Sequence, residues 1–195
     1  VNARNNRPVG TTPAVVKSRG QGRSYHPRSL ILIGSSTGGP EALNQVLPSL
    51  PGDLPGICIV QHIPAYFSKA LAERLNHKCQ FEVREAVKGD KVTPGTVLIA
   101  PGGYHMILKW SGAQYVVDLG EGPQLHHQRP AVDVLFDSVV KAGGAEYSTS
   151  VILTGMGSDG ASGLLKLKEA GSYTIAQDEE SSVVFGMPRE AIRLG

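Results

Sequence analysis

The sequence predicts an α/β protein, a doubly wound and mostly parallel sheet with helices on both faces and an antiparallel hairpin portion. Three observations carry this expectation. Short apolar runs alternate with longer helical patterns from Leu30 onward, the rhythm of parallel strands joined by helices. A middle stretch breaks that rhythm with closely spaced turn signals. Gly accounts for 24 of the 195 residues and Pro for 13, while aromatics make up only 6%, which suits tight strand-to-helix turns better than a bundle.

Taken in order, Leu30 to Ile33 reads as the first strand, Pro40 to Leu47 as a helix, Ile57 to Val60 as a strand and Phe67 to Leu75 as a helix. Four apolar runs follow: Phe81 to Val83, Val97 to Ala100, Met106 to Leu108 and Tyr115 to Val117. Pro94-Gly95, Pro101-Gly102-Gly103 and Ser111-Gly112 separate them, and turn residues so placed predict hairpins. Alternation then resumes with a helix near Ala131 to Val140, a strand at Ser150 to Leu153 and a helix near Ala161 to Ala170. The strand Tyr173 to Ala176 and a last helix near Arg189 complete it, and no internal repeat is visible.

Charge divides the chain in two. The net charge is +2, yet the first forty residues hold Arg4, Arg7, Lys17, Arg19, Arg23 and Arg28 and no acid. A basic, polar segment without apolar periodicity cannot bury enough surface to fold alone, so residues 1–28 are expected to form a flexible linker or tail and residues 29–195 one folded domain. A basic patch is only an electrostatic footprint, and nucleic-acid binding is not expected. Cys58 and Cys79 show no C-x-x-C spacing and are expected to be free thiols. No run approaches the roughly 20 apolar residues of a membrane span. A cytoplasmic, monomeric protein without membrane insertion is the expectation.

In a doubly wound sheet, ligands gather at the carboxyl ends of strands, and three segments occupy such ends. Gly34-Ser35-Ser36-Thr37-Gly38-Gly39 follows the first strand and fits the G-x-S-x-G pattern in a strand-turn-helix context. It lacks the spacing of a dinucleotide or P-loop fingerprint; taken alone, it equally suits helix capping. Gln61-His62-Ile63-Pro64 ends the second strand and offers a base, which a serine hydroxyl needs before it becomes a nucleophile. Thr154 to Gly160 follows a later strand. Its Asp159 suits either helix capping or the carboxylate that orients a catalytic imidazole. His26, His77, His105, His126 and His127 share no metal-ligand spacing and are expected to be surface or structural residues. Neither a metal nor a cofactor is implied.

Together these three segments resemble the catalytic domain of the bacterial chemotaxis protein-glutamate methylesterases, the CheB family. Leu71 to Leu75, Ile99 to Gly102, Arg129 to Phe136 and Val183 to Ala191 extend the likeness over nearly everything after Leu30. The resemblance implies hydrolysis of glutamate γ-methyl esters on methyl-accepting chemotaxis receptors, with deamidation of receptor glutamines as a companion activity. It assigns Ser36 as nucleophile, His62 as general base, Asp159 as acid partner and the Met156 amide as oxyanion donor. Thr37, Gly38 and Gly39 form the nucleophile turn. It also implies an N-terminal receiver domain that restrains the esterase. Ser158 and Gln128 stand where some relatives carry Asn and His.

Overall fold

The computed structural model describes residues 24–195, so the part of the expected tail before Ser24 lies outside the described residues. Six strands form one parallel sheet in the order β3-β4-β2-β1-β7-β8. They are β1 (Leu30–Ser35), β2 (Gly56–Gln61), β3 (Glu82–Glu85), β4 (Thr96–Ile99), β7 (Ser148–Ile152) and β8 (Tyr173–Ala176). A separate antiparallel hairpin is made by β5 (His105–Ser111) and β6 (Gln114–Gly120). The helices are α1 (Gly39–Ser49), α2 (Ala65–Asn76), α3 (Val132–Lys141), α4 (Ala161–Glu169) and α5 (Met187–Leu194).

Strand side chains alternate between faces, so each strand feeds two cores. Ile33, Ile57, Ile59, Val97 and Ile99 pack with Leu43 and Leu47 of α1 and Leu71 and Leu75 of α2. Leu30, Leu32, Cys58, Val60 and Leu98 turn the other way. They meet Leu135, Phe136 and Val139 of α3, Leu164 and Leu167 of α4, and Met106, Leu108, Tyr115 and Val117 of the hairpin. The expected doubly wound sheet with helices on both faces is present, and the hairpin shares one face with α3, α4 and α5.

One expectation of the middle stretch changes. The runs at 81–83 and 97–100 do not form hairpins; they are the parallel strands β3 and β4. Parallel neighbours usually need a helical crossover. Here the connection is a loop whose backbone is satisfied by β6: Gly89 N donates to Val117 O, Val92 N to Tyr115 O, and Val117 N to Asp90 O. The hairpin therefore supplies the hydrogen bonds that a crossover helix would have made internally.

Contacts with the folded body begin inside the segment expected to be linker. His26 stacks on Tyr147 with ring centroids 4.0 Å apart. The Arg28 guanidinium lies 4.1 Å from the centre of the Trp110 ring and donates to Ala142 O at 2.8 Å and Gly143 O at 3.1 Å.

β1 lies between β2 and β7, each reached by a connection of opposite sense. Such a point of reversal opens a crevice at the carboxyl ends of the strands, and the loops after β1, β2 and β7 are the three singled out above.

Candidate active site

Ser36 follows β1 in a turn stitched to both neighbouring loops. Its amide donates to Thr154 O at 3.0 Å, and its carbonyl accepts from Gly39 N at 2.8 Å. The Thr154 hydroxyl donates to Thr37 O at 2.9 Å. Gly38 has φ 81°, a left-handed conformation that glycine adopts freely, and it starts α1 without a side-chain cap. The capping alternative for this segment is therefore not the one the structure uses. Ser36 itself does not sit at positive φ, since His126 and His127 are the non-glycine residues that do so among those described. The turn is thus unlike a strained nucleophile elbow. The amides of Thr37 and Gly38 have no intramolecular acceptor among the described residues and stand at the positive end of the α1 dipole.

A buried amide joins the first two loops. Gln61, 2% exposed, donates through Nε2 to Ser36 O at 2.9 Å and to His62 O at 3.0 Å, while its Oε1 accepts from Ser35 Oγ at 2.6 Å. His62 N adds a bond to Ser35 O at 3.0 Å. Gln61 has no role assigned from sequence alone, although a polar residue closing an apolar strand beside a candidate base is a usable signal.

His62 and Asp159 meet across the crevice, with Nε2 to Oδ2 at 2.6 Å and both side chains buried. That contact leaves Nδ1 as the ring nitrogen open to a hydroxyl. Asp159 does cap a helix, but not its own: Oδ2 accepts from Val132 N at 2.7 Å and Oδ1 from Asp133 N at 2.9 Å, the first turn of α3. Asp133 returns the arrangement, accepting from Gly163 N at the start of α4 at 2.7 Å. Burial pushes the Asp159 carboxyl up; the His62 hydrogen bond and the two α3 amides outweigh it and hold it below the ordinary carboxylate range.

The third loop approaches the nucleophile closely at Gly155, where a Cβ would lie 2.8 Å from Ser36 Cβ and 2.2 Å from Met187 Sδ. Met156 follows with its side chain 76% exposed and its amide without an intramolecular acceptor among the described residues. His126, expected to be a surface or structural histidine, lies beside this cluster. Its Nε2 lies 2.9 Å from Asp133 Oδ2 and 4.0 Å from Asp159 Oδ1. His126, Asp133 and Asp159 offer ligand atoms within 4.8 Å of one another, a set compact enough for a cation, yet each is already engaged as described.

The fold and this edge define a doubly wound α/β protein that gathers a serine, a histidine and a buried aspartate where its central strands end. The family model for the CheB methylesterase matches residues 31–195. The chain belongs to that family. It is 60% identical over 166 residues, 85% of its length, to a protein-glutamate methylesterase/protein-glutamine glutaminase 2 of Syntrophus aciditrophicus, covering 48% of that protein. A protein-glutamate methylesterase/protein-glutamine glutaminase 1 of Xanthomonas oryzae pv. oryzae is 52% identical over 90% of this chain and 50% of its own length. The chain thus spans about half the length of these curated relatives. The Thermotoga maritima CheB methylesterase catalytic domain superposes with a TM-score of 0.83 at 42% identity, over 86% of this chain and 88% of that one.

Proposed function

We propose that residues 29–195 form a serine hydrolase domain that cleaves glutamate γ-methyl esters on chemotaxis receptors, and that it also deamidates receptor glutamines. The observation that carries the reading is the His62–Asp159 contact, 2.6 Å long and fixed at the α3 N-terminus by two backbone amides. A carboxylate so held orients one imidazole tautomer and supports the charge the ring acquires during acyl transfer.

In this mechanism His62 keeps Nε2–H donated to Asp159 and takes the Ser36 proton at Nδ1. Ser36 Oγ attacks the ester carbonyl, and the oxyanion of the tetrahedral intermediate is met by the Met156 amide, whose lack of an acceptor among the described residues supports the role. Collapse breaks the bond to the methoxy group, which leaves as methanol with the proton from His62. Water, deprotonated by the same imidazole, then attacks the acyl-enzyme, releasing glutamate and restoring Ser36. With glutamine as substrate the leaving group is ammonia. Tyr66 and Phe67 at the start of α2 and Met156 after β7 are exposed and offer apolar surface to a large partner. The cytoplasmic setting, the monomeric state and restraint by a receiver domain belong to the same proposal. Among the described residues, no helix is long and apolar enough to cross a membrane.

The experiment is methanol release from methyl-esterified receptor fragments by the parent chain and by Ser36→Ala, with folding checked by circular dichroism. Release by the parent alone is expected. Hydrolysis retained in Ser36→Ala removes Ser36 as nucleophile.

A further inference from the structure

Asp159 has a second histidine at its back. The connection between β6 and α3 makes a tight turn in which Leu125 N donates to Gln128 O at 3.1 Å and Gln128 N to Leu125 O at 2.9 Å. Its two central residues, His126 at φ 51° and His127 at φ 60°, are the left-handed non-glycine residues among those described. Histidine tolerates this region only at a cost, and such conformations persist where surrounding contacts over-determine them. The contact made here is the one between His126 Nε2 and Asp133 Oδ2, 2.9 Å long.

Asp133 and Asp159 are 8% and 2% exposed, and the Asp133 amide donates to Asp159 Oδ1. Two buried carboxylates so close oppose each other's charge unless something compensates them. His62 covers the Oδ2 side of Asp159. His126, 37% exposed and 4.0 Å from Oδ1, covers the other side and has access to solvent protons. Two cations on the elements around the pair hold other partners, although the buried Nε of Arg129 has none among the described residues. Arg129 Nη1 donates to the carbonyls of Glu121 and Gly122 at 3.0 and 2.9 Å. Lys166 of α4 bonds Asp137 at 2.8 Å and interacts with Asp133 only through its charge. His127, in the same turn, is exposed.

We infer that His126 is a positioning residue for the reaction: bonded to Asp133 and facing Asp159, it sets how strongly the Asp159 carboxylate supports the His62 imidazolium. The inference rests on the proposed roles of Ser36, His62 and Asp159. Its sign follows from the arrangement. A proton on His126 places positive charge near Asp159 and opposes a second positive charge on His62. Removing that imidazole leaves the negative charge of Asp133 and Asp159 less compensated, which favours the protonated and inactive form of His62.

The test is His126→Asn, which keeps a hydrogen-bond donor without the titrating ring, with Asp133→Asn as companion. Methanol release is followed from about pH 5 to about pH 9, the range spanning histidine titration. The acidic limb of kcat/KM is expected to move up by about half a pH unit in His126→Asn and down in Asp133→Asn, as nearby charges dictate. The His62 ring proton, followed by NMR across the same range, is expected to move with it. A His126→Asn profile that superimposes on the parent, or falls evenly at every pH, overturns the inference and leaves His126 a structural residue. The NMR titration does not depend on turnover. Activity retained in Ser36→Ala would therefore defeat the proposed mechanism, while an unmoved His62 titration would defeat the role of His126.

Discussion

Asp159 is charged in spite of its burial, and the way it stays charged determines what a substitution there must do. Asparagine at this position keeps the volume but can no longer accept both α3 amides and the imidazole as an anion. Asp159→Asn is expected to lower kcat on the order of 10³- to 10⁴-fold while the chain stays folded, measured by steady-state methanol release beside circular dichroism. A loss under tenfold would argue that Asp159 serves the helix alone. The three segments that hold Ser36, His62 and Asp159 were legible in the sequence because each follows an apolar strand run, where the fold must place it, while the part proposed for Met156 came from the family resemblance alone. His126 was not legible, because its partners lie across a turn in an unusual backbone conformation and on a helix beyond it. No local pattern encodes that meeting.

At the scale of elements, the site depends on how closely the loops can approach. A methyl group at Gly155 would meet the Ser36 Cβ and the Met187 thioether. Met187 can swing aside, but the backbone of Ser36 is held by Thr154, Gly39 and Gln61. Gly155→Ala is expected to destabilise the fold by about 1–3 kcal/mol, as overpacking does, and to lower kcat more than it raises KM. Urea melts and Michaelis kinetics on the same preparation check both parts, and a parent-like kcat would show that the third loop can shift without consequence. The helices and central strands were readable because periodicity and length agree in them. β3 and β4 were misassigned as hairpin strands because the connection between them contains Pro94-Gly95 and no helical pattern. The β6 backbone that satisfies this connection lies further along the chain.

For the whole molecule, acid is the informative variable. Asp159 is held below the ordinary carboxylate range, and Asp118 is lowered to about 2, first by its hydrogen bond from Lys109 and then by that from Lys88. Both carboxyls bind protons more weakly in the folded than in the unfolded chain. Their contribution is therefore fully present above the ordinary value near 4 and lost as pH falls through the folded values. The stability deficit of Asp159→Asn against the parent is expected to be smaller at about pH 3 than at about pH 5, because the Asp159 carboxylate takes up its proton over that interval. Urea melts across that range check it, and a deficit unchanged at about pH 3 would separate Asp159 from acid unfolding.

The position of β7 beside β1 also orders events during synthesis. His62 and Asp159 are 97 residues apart, and β1 pairs on one side with β2, made early, and on the other with β7, made late. Until β7 emerges, a growing chain presents the apolar edge Leu30 to Gly34 unpaired, the kind of edge that recruits foreign strands. The strand that closes this edge also carries in the loop bearing Asp159. The chain thus covers this edge and completes the proposed catalytic cluster in one step, once β7 and the loop after it have been made.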